Sequence, residues 1–166
     1  TRRRKKKTPK PKPDSPYNGP GYDGTETRRR ALVLHPLLRN GHIHRRAADA
    51  RLAEAISLAE AIDLEVADAE VVPLPSPKPG ALFGSGKVEE LKGWVESQDV
   101  ELVVVDHDLS PVQQRNLERS LETKVIDRTG LILEIFGARA RTHEGVLQVE
   151  LAALSYQRSR LVRSWT

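Results

Sequence analysis

The run Glu101-Leu102-Val103-Val104-Val105-Asp106 constrains this chain more than any other stretch. It has no polar alternation and is too short to be a buried helix. A strand of this kind is expected to be covered on both faces, as strands are in parallel sheets flanked by helices. The neighbouring segments supply such helices. Over residues 46–62, Leu52, Ala55, Ile56, Ala59 and Ile62 recur on one helical face. Residues 87–96 turn Val88, Leu91 and Val95 inward. Ser110, Pro111 and Gln113 form a capping-box start for a helix bearing Leu117 and Leu121. Leu131, Ile132, Ile135 and Phe136 give a further apolar face at helical spacing.

Strands are expected around residues 31–35, 66–72, 101–106 and 124–127. Their alternation with helices predicts an α/β fold: a small parallel sheet of about four strands flanked by helices. Pro36 is expected to end the first strand. Pro73, Pro75, Pro77 and Pro79 are expected to make an extended linker. From Leu147 the apolar residues Leu147, Leu151, Leu154, Leu161 and Trp165 follow steps of four and three, with Arg158 in the polar slot. This heptad seam predicts a long carboxy-terminal helical arm. Leu147 and Leu151 are expected to rest on the domain, and the segment from about Tyr156 to project and fray.

Charge divides the chain. Residues 1–30 hold 11 Lys and Arg against 3 Asp and Glu, a net of +8, whereas the whole chain is only +4. Residues 1–29 read as a disordered basic tail, either touching RNA phosphate or simply solvated. Residues 30–142 read as the α/β domain and 143–166 as the start of the arm. Cysteine is absent, which excludes disulfides and thiolate metal sites and fits a reducing compartment. No apolar run approaches the roughly 20 residues of a membrane helix. The chain has no Met and opens on Thr1, so flanking sequence is expected.

Several stretches offer binding chemistry. Gly84-Ser85-Gly86-Lys87 resembles a phosphate loop but fails its pattern, with Ala81 where the first Gly belongs and Val88 in place of Ser or Thr. What survives is either an anion site at a helix amino terminus or a tight turn. Asp106-His107-Asp108 ends the clearest strand. It offers cation ligands or, more simply, turn and cap hydrogen bonds with Ser110. Asp127 and Thr129 suit a helix cap, and Arg128 suits a carboxylate or a phosphate equally. Asn40-Gly41-His42-Ile43-His44 holds two histidines without the further ligands a metal requires. Arg139, Arg141, Arg158, Arg160 and Arg163 make the carboxy-terminal helices locally basic, as a solvated face or as phosphate contacts. Nothing assembles a recognisable catalytic set.

The runs LFGSGKVEELK, SPVQQRNLE, VIDRTGLILEIF, RAR, LQVELAALSY and SRLVRSWT occur in an order that resembles the amino-terminal half of the HflX family of translational GTPases, over roughly residues 31–166. Gly137 departs from the family pattern, which has a helix former there. The resemblance implies a cytoplasmic domain that docks on the large ribosomal subunit and its rRNA, in a protein that splits or rescues stalled ribosomes. The helix beginning at Leu147 would be the first arm of a helical hairpin whose second arm follows Thr166. GTP and Mg²⁺ would be held by a GTP-binding domain downstream of Thr166, so this chain alone is expected to be inactive toward GTP. Residues expected to meet RNA or nucleotide phosphate are Gly84, Gly86, Lys87, Arg128, Arg139, Arg141 and Arg158, with no metal site. The rival reading is a standalone nucleotide-binding α/β domain, with Gly84, Gly86 and Lys87 on phosphate and Asp106 on magnesium.

Overall fold

The computed structural model describes residues 28–39 and 45–162. The basic tail up to residue 27, the Asn40–His44 loop, Arg163 and Trp165 lie outside the described residues. Four strands form one sheet: β1 (Arg30–Leu38), β2 (Glu65–Leu74), β3 (Leu102–Val105) and β4 (Lys124–Ile126), in spatial order β2-β1-β3-β4. All three pairings are parallel. Among the described residues, five helices accompany them: α1 (Arg45–Ala61), α2 (Ser85–Ser97), α3 (Pro111–Leu121), α4 (Arg128–Arg139) and α5 (His143–Val162). No described helix is long and apolar enough to cross a membrane.

Strand pleating sorts the core into two layers. Leu32, Leu34, Val103 and Val105 join Leu91 and Val95 of α2 and Leu117 and Leu121 of α3 on one face. Ala31, Val33, Leu102 and Val104 join Ala55 and Ala59 of α1 and Leu131 and Ile135 of α4 on the other. The continuous apolar run of β3 is thus explained, since each of its side chains has a helix to meet.

Two proline expectations are corrected. β1 continues through Pro36 to Leu38. The carbonyls of Arg30 and Leu34 accept from Glu101 and Asp106, on the β3 side of the ladder. Alternation puts the Pro36 nitrogen on that same side, where β3 has already ended, so no ladder bond is forfeited. β2 likewise runs through Pro73, which an edge strand tolerates. The expected extended linker is instead a loop closed by an antiparallel bridge between Lys78 and Leu82. Leu82 is buried at φ 65°, a left-handed conformation costly for a branched side chain. The loop is held there by Gln113, which donates to the Lys78 carbonyl, and Asn116, which donates to that of Gly80.

The capping box at Ser110 forms as expected, with Ser110 accepting from the Gln113 amide and Gln113 accepting from that of Ser110. Helix α4 continues through Gly137 to Arg139. Only half of its expected apolar face is inside: Leu131 and Ile135 are buried, Ile132 and Phe136 exposed. The orientation of α5 also differs from expectation. Leu147, Leu151 and Leu154 are at least half exposed and face away from the domain. Ala153, Tyr156 and Arg160, on the opposite side of the helix, meet the domain instead. The helix is therefore attached through Arg160, well past the residue from which it was expected to project.

Candidate functional site

The strand order reverses between β1 and β3, because β2 lies on one side of β1 and β3 and β4 on the other. Ligands of open α/β sheets bind outside the carboxyl ends of strands at such a point. Here that place is occupied by side chains bonded to one another. His35, 3% exposed near the end of β1, brings Nδ1 to 2.8 Å from Asp106 Oδ2, just after β3. Arg128, at the start of α4, donates Nε to Asp106 Oδ1 at 3.0 Å and Nη2 to the Asp106 carbonyl at 2.9 Å. Both carboxylate oxygens of Asp106 are thus engaged, while Arg128 keeps a 41% exposed side chain that can reach an anion. Asp108 makes no turn bond through its side chain here; its carbonyl lies 2.8 Å from His107 Nδ1.

Asp127, the residue before Arg128, forms a second hub. Its carboxylate caps α4 by accepting from the Gly130 amide at 2.9 Å and also accepts from the Leu109 amide at 3.2 Å. Two donors arrive from α5: Tyr156 Oη at 2.7 Å and Arg160 Nη2 at 2.7 Å. Arg160 also donates to the Leu109 carbonyl and lies over the Tyr156 ring at 4.6 Å. Gly130 lies against this cluster. A β-carbon there would sit 3.3 Å from Ile126 Cβ and 3.5 Å from the Tyr156 hydroxyl. Four donors thus satisfy the acceptor oxygens of a carboxylate that is cut off from water. The sequence identified Asp127 as a cap but not as the receptor for α5; the helical spacing of Tyr156 and Arg160 was the available signal.

The residues expected to bind phosphate do not converge. Gly84 is the amino cap of α2 and lacks a side-chain cap bond. Lys87, 20% exposed, donates to Glu70 Oε2 at 2.8 Å and Glu90 Oε1 at 3.1 Å, and lies 5.5 Å from the Trp94 ring centre. Burial opposes its charge, but the bonds and charges of Glu70 and Glu90 outweigh that and raise its pKa above the usual 10.5. Glu70 belongs to β2, whereas Arg128 follows β4 at the opposite edge of the sheet. Arg139 and Arg141 flank the α4–α5 elbow, and Arg158 lies on the outer side of α5; all three are exposed, and none forms an ion pair with another described residue. The residues present do not fit a magnesium–nucleotide site: Asp106 is held by His35 and Arg128, and two carboxylates surround Lys87. Among the described residues, no three His, Asp or Glu side chains gather as metal ligands. Beside the elbow, Ile132, Leu133 and Phe136 of α4 and Val149 and Ala152 of α5 line an open apolar groove of about 310 Å³.

Residues 49–137 match the family model described as GTP-binding GTPase N-terminal, and residues 139–166 match that of the GTP-binding GTPase middle region. The chain belongs to the HflX GTPase family. It corresponds to the amino-terminal domain of those proteins. It is 51% identical over 137 residues to the GTPase HflX of Magnetococcus marinus, covering 82% of this chain and 31% of that protein. To the GTPase HflX of Escherichia coli it is 56% identical over 91 residues, 55% of this chain and 21% of that protein. The chain thus spans about a third or less of the length of these HflX relatives. A GTP-binding protein from the hyperthermophilic archaeon Sulfolobus solfataricus, solved in complex with GDP, shares the fold with a TM-score of 0.63 at 24% identity, over 82% of this chain and 39% of that one. The junction of the two family models falls at the end of α4, two residues before the break that separates it from α5.

Proposed function

We propose that residues 30–166 form the part of an HflX GTPase that docks on the large ribosomal subunit, against rRNA, when the protein splits or rescues stalled ribosomes in the cytoplasm. GTP, with Mg²⁺, is handled by a GTP-binding domain outside residues 1–166, and the outward leucines of α5 pair with the second arm of a helical hairpin. The observation that carries the docking reading is the set Arg139, Arg141 and Arg158: three exposed cations, two flanking the elbow and one on the outer side of α5, with no carboxylate partner among the described residues. Guanidinium groups in that state are available to phosphate, and phosphate contacts position a protein on RNA. Arg128 adds a cation at the neighbouring strand ends. Lys87 contributes less, because an incoming phosphate would have to displace Glu70 and Glu90.

The test is binding of the chain to purified large subunits across a salt series. Each phosphate contact adds about 0.7–0.9 to the slope of log affinity against log salt. Replacing Arg139, Arg141 and Arg158 by Gln is expected to reduce that slope by about two to three and to weaken binding at every salt concentration. An unchanged slope in the triple variant overturns the reading.

A further inference from the structure

We infer that α5 is a hinged arm, latched to the α/β domain by the Asp127–Tyr156–Arg160 cluster and able to leave it without unfolding it. This goes beyond the docking reading and does not depend on it. Three observations carry the inference.

The attachment of α5 is mainly polar. Ala153 is the only buried residue among its described side chains, and neither layer of the core includes an α5 residue. The leucines that a permanently packed helix would bury, Leu147, Leu151 and Leu154, point away from the domain. Beside Ala153 and the open apolar groove shared with α4, what holds the helix is Tyr156 and Arg160 on a carboxylate that is 1% exposed. Hydrogen bonds to a charged group have strict geometry, so a small displacement of α5 breaks them together.

The domain keeps its own support when α5 leaves. Asp127 still accepts from the Gly130 and Leu109 amides, so α4 remains capped and the loop before α3 remains tied to it. The docked state is also incompletely satisfied, since Arg160 Nε is buried without a hydrogen-bond partner among the described residues. Undocking hydrates that group, which offsets part of the loss.

A pivot is present. Helix α4 ends at Ala140, whose backbone is extended at φ −63° and ψ 124°. Thr142 then restarts the chain as a helix, its hydroxyl accepting from the Gly145 amide at 3.0 Å. Two self-capped helices joined through Ala140 and Arg141 can change their mutual angle by rotating a few backbone bonds.

The experiment uses the full 166-residue chain. Because it has no cysteine, Glu89→Cys and Ser155→Cys place two spin labels uniquely, one on α2 and one on α5. Tyr156→Phe and Arg160→Met are then introduced singly and together, with Asp127 left intact to protect the α4 cap. The parent is expected to give one narrow distance distribution and the double variant a broad one. Amides of residues 146–158 are expected to exchange about tenfold faster in each single variant and about a hundredfold faster in the double, at roughly one charge-assisted bond per step. Amides of β1 and β3 should keep their parental rates. Unchanged α5 exchange in the double variant overturns the latch. Faster exchange with a distance distribution still narrow overturns the hinge. Parallel loss of protection in β1 and β3 overturns the independence of the arm.

Discussion

Asp106→Ala tests whether the cluster at the strand ends is a structural keystone. The substitution leaves His35 Nδ1 unpaired in a side chain only 4% exposed, and removes the carboxylate that Arg128 grips. The two losses differ in size. Arg128 is exposed enough to regain water, so its ion pair is worth only about 0–1 kcal/mol. His35 cannot, and a buried polar group stripped of its partner costs about 1–3 kcal/mol. Together they predict a loss of about 1–4 kcal/mol, visible as a lower urea midpoint at constant slope. Asp106→Asn keeps one oxygen in place for the imidazole and is expected to lose roughly half as much. If the imidazole dominates, His35→Leu and Asp106→Ala will not add: the double variant should lose at least about 0.5 kcal/mol less than the sum of the singles. Equal losses for the Ala and Asn variants, or strict additivity in the cycle, would refute the assignment of the cost to His35.

Three further outcomes follow from single residues. Ser110→Ala removes one half of the capping box and should cost about 1 kcal/mol in denaturant unfolding; no measurable loss would mean that Pro111 and the Gln113 bonds suffice. Lys87 has its pKa raised in the fold, so its stabilisation is complete below the unfolded value of 10.5 and is lost as pH rises through the higher folded value. The stability gap between parent and Lys87→Met should therefore be constant at lower pH and narrow above 10.5, and a gap that widens there would contradict the raised pKa. The 166-residue chain should turn over GTP no faster than buffer, because the Gly84–Lys87 turn provides neither a complete phosphate cradle nor a magnesium ligand; turnover abolished by Lys87→Ala would reverse this.

The layers of the fold were legible because they are written in local periodicity. Continuous apolar β3 and the helical spacings of Leu91 with Val95 and Leu117 with Leu121 each name their own partners. The prolines misled because their effect depends on neighbours. Pro36 is harmless only because β3 stops at Val105, and Pro73 only because β2 is an edge. Neither fact exists within a nine-residue window. The site was legible in pieces. Asp106, Asp127 and Arg128 stood out as strand-end and cap residues. Their partners His35, Tyr156 and Arg160 lie 71, 29 and 33 positions away, at separations that only the fold brings together.

Helix α5 shows why its orientation in particular could not be read from the chain. Its leucines make the more conspicuous stripe, and hydrophobicity alone assigns that stripe to the domain. The domain, however, has filled its two apolar layers with α1–α4 and presents a carboxylate at the place where α5 lands. A buried carboxylate selects donors, so the side of the helix bearing Tyr156 and Arg160 turns inward and the leucines turn out. The same choice leaves Leu147, Leu151 and Leu154 in a heptad pattern facing away from their own domain. Replacing these three leucines by Gln should consequently leave the unfolding midpoint of this chain within about 0.5 kcal/mol of the parent, as for surface positions generally. Replacing Ala153 by Asp on the opposite side should detach α5. A loss of several kcal/mol from the triple Gln variant would show that the leucines already have a partner in the isolated chain.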